Sequence, residues 1–168
     1  MTEYIDLIPV IVERETAVMP NWCDSWGVKS VHPDLRTTHG YTWPMPGRVA
    51  ECDPKQIDPT NFEGCPASEG DGLCVAKTWS GMASGGIHAT TMLLVAYRSS
   101  EILGSAGGGS KLRLPRVAVV ALVDGARLLR EAGRGANLQG ANLRGAQADP
   151  WTPWPVGFDY AAAGVVML

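Results

Sequence analysis

The chain has 168 residues, 45% of them hydrophobic, and can bury a core without disulfides or metals. Its net charge of −3 argues against broad binding to nucleic-acid phosphates, which needs a basic face. No stretch reaches the roughly 18 apolar residues of a membrane span. The N-terminal MTEYIDLIPVIVERE lacks the basic region of a signal peptide. We therefore expect a cytoplasmic protein that makes no membrane contact and has reduced cysteines.

Residues 1–35 are predicted to form an extended arm that continues into an irregular segment. The run YIDLIPVIVE at 4–13 is β-like in composition. Pro9 has no N–H to give to a strand ladder, so the run is expected to be an edge strand or an extended arm. Residues 14–35 show no regular pattern and are predicted to be irregular.

Residues 36–134 are predicted to form the core of a single α+β domain with a mixed or antiparallel sheet. Short apolar runs bounded by Gly or Ser predict two central strands, TTMLLVAY at 90–97 and RVAVVALV at 116–123. KLRL at 111–114 alternates as an edge strand does. The core is therefore expected to lie on the sheet formed by these strands.

Two short helices are expected beside this sheet. LCVAKTWSGMAS at 73–84 predicts one helix that ends at a Gly pair. GARLLREAG predicts a second helix near 125–132, with Asp124 as its N-cap and Gly133 at its end.

A long loop at 53–72 separates the first part of the core from these elements. It contains Asp-Pro twice, Cys-Pro once and EGDG at 69–72. A loop of this length is usually functional or is held by another element. Glu69 and Asp71 could face a cation, but the later Glu of a calcium loop is missing. EGDG is therefore predicted to be a tight, solvated turn.

The segment GANLQGANLRGAQ at 135–147 repeats every five residues. It is similar to pentapeptide-repeat proteins, whose units read approximately A-(N/D)-L-x-x. Two units are too few for an independent solenoid. We expect a partial pentapeptide-type coil that caps the sheet, followed by an apolar tail at 148–168.

Several unusual strings along residues 36–147 together resemble an uncharacterised family from actinobacteria and their phages. They are HGYTWPMPG, EGDGLCVA, the two strand runs and GANLQGANLRGA. The resemblance implies an actinobacterial or phage source and a compact α+β core. It implies no activity, cofactor or catalytic residue.

The cysteines near the long loop raise the question of a metal site. Cys52, Cys65 and Cys74, with His39 upstream, could supply three thiolates and an imidazole to zinc. No C-x₂₋₄-C pair is present, and structural zinc sites usually contain one. Buried, reduced cysteine is common as a small apolar residue. We therefore predict no metal and no cofactor.

An enzymatic alternative follows from THGYTW at 38–43. A His-Gly at a strand end, with a later Tyr and Glu, resembles the nicotinamide-nucleotide site of ADP-ribosyltransferases. The matching residues would be His39, Tyr97 and Glu101, although the spacing from Tyr to Glu differs from that family. The structural interpretation is that Gly40 makes a turn that His39 caps.

The favoured interpretation is a non-enzymatic structural or interaction protein, such as an accessory component of a phage particle or another assembly. The sequence lacks catalytic patterns, is low in charge and contains six tryptophans, a residue enriched in protein interfaces. Protein partners or self-association are expected, with a virion location if a phage encodes the chain. The predicted interface residues lie in the two ends: Tyr4, Ile8, Val10, Trp151, Trp154, Phe158, Val165, Val166 and Leu168.

Overall fold

The computed structural model describes residues 7–37, 40–78, 81–82, 87, 90–128, 144–148, 150, 154 and 157–167. The chain forms two compact units, residues 1–131 and residues 132–168. The predicted α+β class is confirmed, and the sheet dominates it. Among the described residues, no helix is long and apolar enough to cross a membrane.

A seven-stranded sheet forms the first unit. Its spatial order is β2-β7-β4-β1-β3-β6-β5, and each of its pairings is antiparallel. The strands are β1 (Ser25–Val31), β2 (Arg48–Glu51), β3 (Leu73–Ala76), β4 (Thr91–Tyr97), β5 (Gly104–Ala106), β6 (Lys111–Leu114) and β7 (Arg116–Asp124).

The two strands predicted as central, β4 and β7, pair with each other in the interior of the sheet. Their register shifts between Leu94 and Val95, as at a β-bulge. Side chains of β4 alternate between the two faces of the sheet, and both faces are buried. This double burial explains why β4 reads as an uninterrupted apolar run.

Two hydrophobic clusters cover the two faces. One contains the loop residue Trp43 together with strand residues, namely Val31, Ala50, Leu73, Val75, Leu93, Val95, Tyr97, Leu112, Leu114, Val117 and Val119. The other brings the N-terminal helix against the sheet, and its members are Leu7, Ile8, Ile11, Val28, Ala76, Met82, Met92, Leu94, Val123 and Leu128. Each face therefore has its own core.

The prediction of an edge strand or extended arm at 4–13 is wrong for its described part. Helix α1 spans Ile8–Arg14 and begins with Pro9 in its first turn, where a missing N–H costs nothing. Ile8 and Ile11, three residues apart, are buried on one face of the helix. An apolar run does not distinguish strand from helix, and packing on the sheet selects the helix.

The prediction that 14–35 is irregular is also wrong, because this segment contains β1, the middle strand of the sheet. Its sequence, SWGVKSV, hides the strand with a glycine and a lysine. The glycine is required by close packing: a Cβ on Gly27 would lie 2.6 Å from Cγ1 of Val75 on β3.

The helix predicted at 73–84 begins instead as strand β3. β3 pairs with β6 over its whole length and with β1 at Ala76. These partners override the helical propensity of LCVA, which the sequence alone could not reveal. Gly81 and Met82 are helical, and the rest of the predicted helix lies largely outside the described residues.

The helix predicted after β7 is confirmed over residues 125–128. Oδ1 of Asp124 accepts a hydrogen bond of 2.9 Å from the Arg127 backbone N–H, as expected of an N-cap. Residues 129–132 of this prediction lie outside the described part of the chain.

In the second unit, β8 (Gln147–Ala148) and β9 (Val166–Met167) form a parallel two-stranded sheet. Most of the predicted pentapeptide-type coil, residues 135–143, lies outside the described residues. Residues 144 and 145 form a turn, and Gln147 belongs to β8.

Candidate functional site

A buried ion pair holds the long loop against the sheet. Asp71, in the EGDG motif, is 0% exposed and Arg113 of β6 is 1% exposed. Nη1 of Arg113 donates to Oδ1 of Asp71 over 2.6 Å and to the Asp71 carbonyl over 3.0 Å. The predicted solvated turn is therefore wrong at Asp71, whose carboxylate is an internal anchor.

The Asp71 carboxylate also gathers donors from its own loop. Oδ1 accepts from the Asp58 N–H over 2.7 Å, and Oδ2 accepts from Asn61 Nδ2 over 2.7 Å and the Ala67 N–H over 3.0 Å. Burial alone would raise the pKa of Asp71. These donors and the Arg113 charge outweigh that effect and lower the pKa.

Arg113 also binds the backbone of the loop, and we call the Asp71–Arg113 pair with these loop contacts the clamp. Nη2 of Arg113 donates to the carbonyl oxygens of Asp58 and Asn61. Asn61 in turn donates from Nδ2 to the Cys65 carbonyl over 3.2 Å. One guanidinium therefore orients the loop from residue 58 to residue 71, Cys65 included.

Close backbone contact seats the same loop on the edge of the sheet. The Ser105 N–H of β5 donates to the Phe62 carbonyl over 3.0 Å. A Cβ on Gly64 would lie 2.6 Å from both the Ala106 nitrogen and the Lys111 carbonyl oxygen. Only glycine fits here without displacing the loop, and Cys65 follows directly.

A cavity of about 170 Å³ lies between this loop and the sheet. Its wall combines thiols, lysines, aromatic rings and loop residues. The side chains that matter for its chemistry are Lys29, Trp43, Cys52, Cys65, Cys74 and Lys111. A volume of this size suits a molecule no larger than a single ring, because a cavity of about 150 Å³ holds benzene.

Two thiols meet in the cavity wall. Sγ of Cys65, in the loop, lies 3.2 Å from Sγ of Cys74 on β3. Burial raises the pKa of the Cys74 thiol to about 11, although the nearby Lys29 charge partly opposes the rise. Cys74 is therefore a neutral thiol at neutral pH and not a thiolate.

Lys29 of β1 supplies a cation beside the thiols. Burial lowers the pKa of its amine from the ordinary 10.5, and the charge of Lys111 lowers it further. The buried indole of Trp43 also lines the cavity, and its Nε1 has no hydrogen-bond partner in the described part of the protein. The wall thus combines two amines, three thiols and aromatic rings.

The three cysteines proposed as weak zinc candidates all line this cavity, while His39 lies outside the described residues. Within the described ranges, no three His, Cys, Asp or Glu side chains are grouped so that they could hold a metal ion.

The residues of the enzymatic alternative carry other contacts. Tyr97 is buried in the core, and burial raises its pKa. Glu101 binds Arg116 through two hydrogen bonds of 2.7 and 2.9 Å. The third member, His39, lies outside the described residues. The structure therefore gives no support to a nucleotide site built from these three.

The predicted interface residues have different environments. Ile8 packs in the core of its own unit and is not available to a partner, whereas Val10 is 45% exposed. Tyr4, Trp151 and Leu168 lie outside the described residues. Trp154 and Val165 are half-buried, and Phe158 and Val166 are exposed.

In the second unit, aromatic rings stack on one another. The Trp154 ring lies 5.2 Å from the ring of Phe158 and 5.6 Å from that of Tyr160, with both pairs nearly parallel. Phe158 and Tyr160 are 36% and 38% exposed. We call Trp154, Phe158 and Tyr160 the aromatic stack.

The sequence shows that Arg113 is enclosed by apolar residues, but it does not show which carboxylate pairs with it. Arg113 stands between Leu112 and Leu114 in KLRL, all three of which are buried. A cation so enclosed needs a carboxylate, but its partner is 42 residues away.

Comparison of the chain with protein-family models, curated proteins and solved structures found no match. The resemblance to an actinobacterial and phage family therefore stays a prediction from the sequence.

Proposed function

We propose that this chain is a non-enzymatic interaction protein that binds a second copy of itself through the 132–168 unit. The aromatic stack carries the proposal. Two of its rings are more than a third exposed, and stacked aromatic side chains are a frequent component of protein interfaces. Such a role suits an accessory component of an assembly, for instance a phage particle.

The small sheet of the same unit supports the proposal. β8 and β9 have two residues each, and a two-stranded sheet of this size is marginal by itself. Val166 and Met167 on β9 are 50% and 38% exposed. Pairing with the same strand of a second molecule would extend the sheet and cover these side chains.

The test uses the only two phenylalanines of the chain as matched reporters. Phe158 belongs to the aromatic stack, and Phe62, 75% exposed, lies in the first unit. With fluorophenylalanine incorporated, the ¹⁹F spectrum should show one resonance for each. We expect the Phe158 resonance to shift as concentration rises, while the Phe62 resonance stays in place.

Molar mass from light scattering should rise towards that of a dimer over the same concentrations. Phe158→Ser should keep the protein monomeric, and Phe62→Ser, the matched control, should leave association unchanged. A monomer at every concentration, with a Phe158 resonance that does not move, would overturn the proposal. So would equal loss of association in the two variants.

A further inference from the structure

The thiol pair in the cavity wall brings two sulfur atoms close to bonding distance. The two Sγ atoms are 3.2 Å apart, and a disulfide needs about 2.05 Å. An approach of about 1 Å therefore suffices. Cys74 is fixed on a strand paired on both sides, whereas Cys65 belongs to the loop. The movement needed falls on the loop.

Cys65 is also the thiol of this pair that lines the more open of the spaces around it. It lines the cavity together with Cys74, and it lines a second, more open depression with Asn61, Glu63 and Ser110. Cys74 lines that cavity and one smaller depression among the described residues, and neither is as open as the depression that Cys65 lines. A reagent that arrives from solvent therefore meets Cys65 first.

From this geometry we propose that Cys65 and Cys74 form a hydroperoxide-reactive site, in which Cys65 attacks the hydroperoxide first and Cys74 resolves the product into a disulfide. The proposal concerns the first unit and is independent of the self-association proposed for the second. A small hydroperoxide is the molecule that would enter the cavity, and the volume of about 170 Å³ is large enough for it.

The two steps balance. The sulfur of Cys65 attacks one oxygen of the hydroperoxide, the O–O bond breaks, and the other oxygen leaves with the thiol proton as an alcohol or water. Cys65 then carries S–OH. The sulfur of Cys74 attacks it, the S–S bond forms, the S–O bond breaks, and the hydroxide leaves with the Cys74 proton as water. Two thiols are oxidised and one hydroperoxide is reduced.

Lys29 is placed to assist the second step. It lines both spaces that Cys74 lines, and its positive charge opposes the rise in the pKa of the Cys74 thiol, which favours the thiolate that attacks.

The chain offers a direct test by peptide mapping. Trypsin cleaves after Lys55 and Lys77, and no Lys or Arg lies between them, so both thiols fall in one peptide, 56–77. Cys52 falls in a different peptide, 49–55. The reduced protein is treated with hydrogen peroxide, unfolded, alkylated with N-ethylmaleimide and digested. We expect peptide 56–77 to lose two hydrogens and escape alkylation, while Cys52 is alkylated.

Serine variants then test the order of the steps. In Cys74→Ser the sulfenic acid on Cys65 should persist and be trapped by dimedone, whereas the wild type should give little adduct. Cys65→Ser should give no disulfide and no adduct at Cys74, and Cys52→Ser, the matched control, should behave as wild type. Wild-type protein in which both thiols of peptide 56–77 remain alkylatable after peroxide would overturn the proposal, whatever the variants do. A disulfide that joins Cys52 to either thiol would also overturn it.

Discussion

Replacing Asp71 with Asn should destabilise the first unit more than any exposed substitution of similar size. The change keeps the shape of the side chain but removes its charge and turns one acceptor oxygen into an NH₂ group. Each carboxylate oxygen accepts two hydrogen bonds, so the NH₂ group faces two donors. The guanidinium of Arg113, 1% exposed, is left without its counter-ion.

The magnitude follows from these contacts in two ways. Two buried donors left without acceptors cost about 1–3 kcal/mol each. Removing one partner of a buried ion pair costs about 3–5 kcal/mol. The two figures describe the same loss and overlap, so we expect the free energy of unfolding to fall by about 3–5 kcal/mol. The urea midpoint should fall by about 2 M if the slope is near 2 kcal/mol per M.

Urea unfolding followed by tryptophan fluorescence measures this change. Glu101→Gln is the control, since it also removes a carboxylate bonded twice to an arginine, but in an exposed pair where little effect is expected. In the double variant Asp71→Asn with Arg113→Met, the loss should be smaller than the sum of the single losses, because no buried charge is left unpaired. A midpoint for Asp71→Asn no lower than that of Glu101→Gln would refute the reasoning.

Three further outcomes are expected. Gly64→Ala should lower the free energy of unfolding by about 1–3 kcal/mol in urea titration, because its Cβ would press on the backbone of β5 and β6; an unchanged midpoint would mean that the loop yields freely. Alkaline pH should destabilise the wild type between about pH 9 and 11, where the unfolded chain ionises its Cys74 thiol and the folded chain does not; Cys74→Ser should lose less over this range, and equal losses would contradict the raised pKa. NAD should leave the melting temperature unchanged, since the described residues of the proposed nucleotide site carry other contacts; a rise that saturates with concentration would favour the enzymatic alternative.

The sequence predicted those elements whose burial or capping can be recognised from their own residues. β4 is apolar on both sides because both faces of the sheet are covered there, and the buried run Val117–Val119 of β7 shows the same pattern. The N-cap Asp124 precedes its helix directly, so the signal is local. A burial pattern or a cap that lies within or beside its own element is therefore predictable from the sequence.

The prediction failed where partners distant in sequence decide. β1 carries Gly27 and Lys29, one needed for contact with β3 and the other lining the cavity, and both disguise a central strand. The helix predicted over 73–84 also concealed the thiol pair, because it placed Cys74 on a helix and not on a strand beside the loop. The cysteines could be grouped from their spacing, but their 3.2 Å contact could not.

The buried ion pair and the thiol pair are best understood together. A buried pair such as Asp71–Arg113 is weak evidence for stability, because apolar residues of similar volume often serve as well. Its hydrogen bonds also orient the loop that carries Cys65. Asn61 donates to the Asp71 carboxylate and also to the Cys65 carbonyl. Ala67, two residues after Cys65, donates its N–H to the same carboxylate. Cys65 is thus flanked by two bonded residues and placed beside Cys74, a placement that apolar contacts, which lack direction, would not specify.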